Sequence, residues 1–361
     1  MIEVRPYDGS PDELAAFINA CWAGRYLARD LIPHYSGADL RWQMLGGPDH
    51  DLHLAAYDGS RLVGCFLAER VRVRLCGDEV AGSQGSYLSV DPAYAARGVA
   101  TRLINALERL HRAHHLKFFL GYVNASPRSS AYQFWSAFRR AFPKRYRTIG
   151  PVQFWMRFLR AGCMAEQLDH AAESLGLRVL SRLQAAPGAG QRSPVRPFQP
   201  SDLAGCHLLL DAGAQRHRLG QLWDGPALAH QLHASGSSQT LVYPDGAGVG
   251  GFASAFRWPL KGRGHIPAEI IDLLLLDGLP PAGKRELLRA CVAGIAARGA
   301  WVAVAPRPDF CEAATFLACG FVPVPQVCTL MTLFAAPELD WSGLDGVGLT
   351  GAGERGALRF R

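Results

Sequence analysis

Residues 86–103 read SYLSVDPAYAARGVATRL, and the change of period inside this stretch decides the fold. Tyr87 to Val90 alternates as a strand does. Further on, Val99, Leu103, Ala106, Leu107 and Leu110 recur at helical spacing, with Arg97, Arg102, Arg109 and Arg112 interleaved. The break falls at Asp91-Pro92, so a strand passes through a short turn into a helix. Small residues at Gly98 and Ala100 leave the first amides of that helix open to a phosphate, where the helix dipole and nearby guanidinium groups favour negative charge. This is the layout of a pyrophosphate-binding helix start.

The segment resembles motif A of the GNAT superfamily of acyl-coenzyme A N-acyltransferases, a strand followed by V-x-P-x-Y and then R/Q-x-x-G-x-G/A opening a helix. Val90, Pro92, Tyr94, Gly98 and Ala100 match. The first position of the phosphate segment, usually Arg or Gln, is Ala95, and Ala96 stands where Gly is common; Arg97 beside them can supply the missing charge. The resemblance implies a coenzyme A pyrophosphate held by Ala95, Ala96, Arg97, Gly98, Val99, Ala100 and Thr101. It also implies a pantetheine arm paired with the backbone of Leu88, Ser89 and Val90 as an added strand would be.

Three side chains follow from the same resemblance. Asn124 ends the strand that starts at Lys117 and is expected to contact the cofactor arm; read alone, it is equally a turn-forming Asn. On the next helix, SSAYQFWSAFRRAF, Tyr132 is the expected general acid toward the departing thiolate, because a phenol can give up a proton and the indole of Trp135 cannot. Read alone, Tyr132 is equally an aromatic packed beside Phe134, Trp135 and Phe138. Glu79, near the motif strand, is the candidate base for the acceptor amine, with Tyr87 and Glu69 close by in sequence; a charged residue on a mixed sheet more often faces solvent. No Ser-His-Asp order or activated Cys stands out, so direct transfer in a ternary complex fits better than a covalent acyl-enzyme.

The flanking sequence repeats. Glu3-Val4-Arg5-Pro6-Tyr7 followed by SPDELAAF returns as Pro194-Val195-Arg196-Pro197-Phe198 followed by QPSDLAGCHLL. Each half then gives a hairpin, around Asp58-Gly59 or Asp245-Gly246, a strand into a helix, another strand and a last helix. The fold class expected is therefore α/β (mixed α+β): two tandem GNAT-like folds, each a mixed, mostly antiparallel sheet flanked by helices. The boundaries expected are residues 1–160 for a coenzyme A-binding domain, 161–193 for a helix and a Pro/Gly/Ser linker near 186–193, 194–337 for a degenerate second copy, and 338–361 for a Gly-rich flexible tail. The second copy has Leu276-Asp277-Gly278-Leu279-Pro280-Pro281 at the equivalent turn, with prolines where amide donors are wanted, and is expected to have lost coenzyme A.

Composition sets the outer bounds. With 49% apolar and 19% charged residues over 361 positions the chain can bury two cores. No window reaches the ~18 apolar residues of a membrane helix, the N-terminal residues lack a signal-peptide pattern, and the nine scattered cysteines fit buried thiols in a reducing compartment. A cytoplasmic protein without metal is expected: His50 and His53, and His111, His114 and His115, have no accompanying ligand pattern and read as surface or loop residues. The formal charge of +7 is concentrated from Arg97 to Arg147 and suits a polyanionic coenzyme better than nucleic acid, for which no recognition motif is present. The function expected is transfer of acetyl from acetyl-CoA to an amine of a small molecule. A protein N-acetyltransferase, a non-catalytic acyl-CoA sensor or scaffold, and homo-oligomerisation are left open.

Overall fold

The computed structural model describes residues 1–26, 31–167, 175–177, 193–233, 238–246, 248–306, 313–341 and 344. The expected helix over residues 168–183, the linker near 186–193 and the tail fall almost wholly outside them. In chain order the elements used below are β1 (Ile2–Pro6), α1 (Pro11–Tyr26), α2 (Gly37–Leu40) continued by a π turn over Arg41–Leu45, β2 (Leu54–Asp58), β3 (Arg61–Leu75), β4 (Asp78–Val90), α3 (Val99–Ala113), β5 (Phe119–Asn124), α4 (Ser130–Ala141) and β6 (Tyr146–Phe158). They continue with β7 (Arg196–Pro197), α5 (Leu203–Arg216), α6 (Gly225–Leu232), β8 (Ser238–Asp245), β9 (Gly248–Arg257), β10 (Ala268–Leu275), α7 (Pro281–Ala297), β11 (Val302–Pro306), α8 (Ala313–Ala318) and β12 (Val322–Leu333). The chain divides into two compact units, Met1–Gly150 with Cys328–Gly346, and Pro151–Val327.

In the first unit α1 starts at a capping box. Ser10 Oγ accepts from the Glu13 amide at 3.1 Å, and the Glu13 carboxylate accepts from the Ser10 amide at 3.1 Å. The sheet runs β1-β2-β3-β4-β5, antiparallel except for the β4–β5 pair, whose parallel sense requires the crossover through α3. Val99, Leu103, Ile104 and Leu107 of α3 are buried with Phe66, Phe119, Trp135 and Phe138, which fixes the helix over the sheet. The far side of β5 is paired by Cys328–Leu333 of β12, from Cys328 opposite Asn124 to Leu333 opposite Phe119. A strand from the other end of the sequence thus completes the first unit.

The second unit repeats the arrangement, with order β11-β10-β9-β8-β7 and a parallel β10–β11 pair joined through α7. Here the outer partner of β11 is the Phe154–Phe158 end of β6. Trp155 on that end stacks on Phe316 of α8 at 5.3 Å, inside a core with Leu287, Leu288 and Ile295 of α7. In each unit the strands are mixed in sense, mostly antiparallel and flanked by helices, as the sequence repeat predicts.

Two histidines depart from the surface reading. His53 and His111 are both 1% exposed. His111 follows Leu103 and Leu107 at i+4 spacing on the buried stripe of α3, and its Nε2 lies 2.7 Å from Ser83 Oγ. His53 Nε2 lies 3.1 Å from the Met44 carbonyl. Burial favours the neutral imidazole and pushes the pKa of His111 down to about 4. Above pH 6.5 the ring is neutral in folded and unfolded chains alike. As the pH falls below that the unfolded chain binds the proton first, so by pH 4 unfolding is favoured by roughly 3 kcal/mol from this group. Thermal unfolding of a His111→Gln protein is expected to lose less stability between pH 6.5 and 4 than the parent; parallel slopes would refute the assignment.

Because Cys328–Leu333 pairs β5, a chain ending at Val327 leaves that edge open. Such a chain is expected to aggregate or to lose the cooperative transition of the first unit, followed by near-ultraviolet circular dichroism.

Candidate functional site

The site forms where β4 and β5 stop being partners. They pair only from Ser83–Gly85 with Phe119–Gly121, and beyond that the strands part. In the same place β4 carries a bulge against β3: Leu67 opposes Ser86 and Cys65 opposes Ser89, so Tyr87 and Leu88 share Phe66. Tyr87 takes φ +61°, a left-handed conformation that such a bulge usually assigns to glycine. An extra residue increases local twist and re-aims the following backbone, here Leu88, Ser89 and Val90, at the edge facing the gap.

The turn after β4 is tied down at several residues. Asp91 Oδ1 accepts from the Ala93 amide at 2.9 Å, and its other oxygen meets Arg61 at 2.8 Å. Tyr94 donates to Asp58 at 3.0 Å, and the Arg97 guanidinium lies 4.8 Å over the Tyr94 ring. The Ala95 and Arg97 amides bond within the turn, to Pro92 and Tyr94 carbonyls at 3.2 Å. Ala96 and Gly98 are left-handed, at φ +61° and +75°. The first bond inside α3 runs from the Arg102 amide to the Gly98 carbonyl at 3.0 Å, so the amides of Val99, Ala100 and Thr101 have no acceptor within the helix. Nothing lies within 4 Å of where a Gly98 side chain would begin, which leaves the approach to those amides open. Below them, Gly64 of β3 lets Val99 come so near that a Cβ there would sit 2.7 Å from the Val99 side chain.

Asn124 closes β5 on the same side of the sheet, and its Oδ1 accepts from the Ser126 amide at 2.8 Å, forming the turn that its sequence context also allowed. Tyr132 sits in the first turn of α4, which Ser129 caps by accepting from the Tyr132 amide at 3.0 Å. The residue is 37% exposed, while Trp135 and Phe138 turn into the core. The carboxyl ends of the parallel strands therefore carry Leu88–Val90, the α3 start and Asn124, and Tyr132 follows in the first turn of the next helix. Glu79 is not brought there. It lies at the other end of β4, about 30 Å along the strand from Ser89, where it is exposed and pairs with Arg74 at 2.9 Å. The hairpin through Cys76-Gly77 fixes the register of Arg74 opposite Glu79, and so keeps this carboxylate with its arginine.

Several residues that sequence reasoning passed over meet at the bulge. Trp22 donates from Nε1 to Ser89 Oγ at 3.0 Å and stacks on Tyr87 at 6.1 Å. Tyr35 meets Tyr87 edge-on at 5.0 Å, and the Tyr87 hydroxyl donates to Gln43 Oε1 at 2.5 Å. They come from separate segments of the chain, so no local spacing announces them. In the second unit the equivalent helix start is Pro280-Pro281, with Leu276 and Leu279 buried and the Tyr243 ring within 3.2–3.4 Å of where a Gly283 side chain would begin. That helix start offers fewer amides, since proline has none to give.

Residues 14–138 match the family model described as acetyltransferase (GNAT) family. No curated protein matches the chain in sequence. Among solved structures, N-myristoyltransferase of Saccharomyces cerevisiae with bound myristoyl-CoA is similar at TM-score 0.73 and 13% identity, over 93% of this chain and 84% of that one. The same enzyme with myristoyl-CoA and inhibitors gives TM-score 0.70 at 14% identity, over 93% and 81%. A GCN5-related N-acetyltransferase from Anabaena variabilis is similar at TM-score 0.53 and 11% identity, over 92% and 72%. At these identities the likeness is one of fold.

Proposed function

We propose that the chain is a member of the GNAT superfamily, whose family model residues 14–138 match, and that its first unit carries an acyl-coenzyme A-dependent N-acyltransferase site. The observation that carries this reading is the conjunction of an open, left-handed helix start at Gly98 with a strand that bulges and parts from its neighbour just before it. The first supplies amides and a positive helix end for a pyrophosphate; the second supplies a strand that parts from its parallel neighbour, beside which a pantetheine arm can lie. Arg97 adds charge beside the loop. The second unit, with its proline start, is the degenerate copy and serves as scaffold.

In the proposed reaction an amine of the acceptor attacks the thioester carbonyl directly. A C–N bond forms, the C–S bond breaks, and the amine proton leaves to solvent or to a base outside the residues named here. Backbone amides of Leu88 to Val90 stabilise the oxyanion, and Tyr132 gives its phenolic proton to the departing thiolate. Acetyl-CoA is the proposed donor, a small-molecule amine the proposed acceptor and the cytoplasm the proposed location; no helix among the described residues is long and apolar enough to cross a membrane. The packed rings of Trp22, Tyr35 and Tyr87 beside the bulge support a short acyl group. A second reading, a long acyl chain passed to a peptide amine, is favoured by the fold shared with N-myristoyltransferase over most of both chains.

Calorimetric titration with acetyl-CoA and with myristoyl-CoA separates the two readings, and release of free thiol in the presence of amines separates a transferase from a sensor. One equivalent of acetyl-CoA is expected to bind, and Gly98→Glu to abolish binding by filling and charging the loop. Tyr132→Phe is expected to lower kcat by about 10²-fold with donor KM little changed. Absence of binding to either donor would end the acyltransferase reading.

A further inference from the structure

The bulge that shapes β4 has a counterpart in the second unit, and both are held in one way. In β10, Ser254 opposes Leu273 and Ala255 opposes Ile271, so Asp272 is an extra residue in the strand before the crossover helix, as in β4. Each extra residue sends a side chain to a buried glutamine. Gln43, 3% exposed, accepts from the Tyr87 hydroxyl, and Gln231, fully buried, donates to Asp272 Oδ2 at 2.9 Å.

The two glutamines occupy the same place in a short repeat. Ser36-Gly37-Ala38-Asp39-Leu40-Arg41-Trp42-Gln43 and Asp224-Gly225-Pro226-Ala227-Leu228-Ala229-His230-Gln231 share an N-cap, a Gly, a Leu and a Gln at equal spacing. The caps are formed alike, Ser36 Oγ accepting from Asp39 at 3.2 Å and Asp224 Oδ1 from Ala227 at 2.7 Å, and both leucines are fully buried. The bulge residue differs, a phenol that donates in one unit and a carboxylate that accepts in the other. The common feature is the tie from glutamine to bulge. A buried polar pair is costly unless satisfied, and packing alone would be served as well by an apolar pair. Its presence in both copies points to a job of fixing the bulge.

We propose that Gln43 is a positioning residue of the acyl-transfer site: by holding the Tyr87 phenol it locks the left-handed turn of the bulge and so fixes the direction of the Leu88–Val90 amides, as Gln231 locks the Asp272 bulge of the second unit. The tie itself is independent of function; its consequence for catalysis rests on the acyltransferase reading. Tyr87 needs such a lock. A left-handed tyrosine persists only where surroundings over-determine it, and here the glutamine acts with the stacked Trp22, the edge of Tyr35 and the Cys65 thiol, which donates to the Tyr87 carbonyl at 3.4 Å.

The test uses the full chain with Gln43→Met, Tyr87→Phe and the double variant; Tyr87→Phe deletes one oxygen and keeps the packing should Gln43→Met fail to fold. Amide hydrogen exchange in the absence of ligand is expected to quicken at Tyr87–Ser89 by about tenfold in each single variant and no further in the double. Gln231→Met is expected to quicken exchange around Asp272 and not around Tyr87. Unchanged exchange at Tyr87–Ser89, or additive effects in the double, overturns the lock. With acyl-CoA, kcat is expected to fall about tenfold or more while calorimetric affinity for the donor stays within about threefold. Quickened exchange with unchanged kcat would overturn the positioning role alone. If the parent binds no acyl-CoA, the acyltransferase reading and the positioning role fall together, and exchange still decides the lock.

Discussion

Three residue pairs of parallel ladder, Ser83–Gly85 against Phe119–Gly121, hold β4 to β5, and the rest of the first unit depends on that ladder stopping there. A longer pairing would consume the strand edge on which a ligand could add. A shorter one would release α3, since a parallel pair exists only through its crossover. The bulge at Tyr87 and the glycine at position 64 serve the same limit from the other side of β4: one turns the backbone away, the other lets the helix start settle close behind it. The open amides of α3 and the parting of β4 from β5 are thus two results of one truncated ladder.

The proposed binding at this place needs few side chains, which makes an unusual phosphate segment tolerable. Ala95 stands where the resemblance expects Arg or Gln, yet its amide is already used inside the turn, and the unsatisfied donors lie at Val99 to Thr101. Charge near the loop comes from Arg97, steadied over Tyr94. Backbone donors presented by a helix end are indifferent to most substitutions around them, whereas the left-handed position at Gly98 is not.

The parts legible in the sequence are those coded by a local period. Strand, turn and helix across residues 86–103, the two hairpins and the repeated element order all follow from spacing within a short window. The Asn124 turn is equally local. Long-range register is not. Glu79 is close to the motif in number, but a hairpin and an arginine partner carry it to the far end of β4. His111 sits in a cluster that looks polar, and only its phase with Leu103 and Leu107 gives away its burial. Gln43 reaches Tyr87 from a separate helical turn, and Cys328–Leu333 joins the first unit from the other end of the sequence; neither pairing is coded by a local period.

That last strand has a consequence for the order in which the protein comes into being. About 200 residues separate Asn124 from its partner Cys328, and at 5–20 residues per second a ribosome takes roughly 10–40 s to cover them. For that interval a nascent chain carries β5 with one side bare, a row of amides and carbonyls flanked by the apolar faces of Phe119 and Leu120. Contacts of such sequence separation also form slowly once available. The unit translated first is thus the last to close, and its exposed edge during synthesis is the natural place for a chaperone to act.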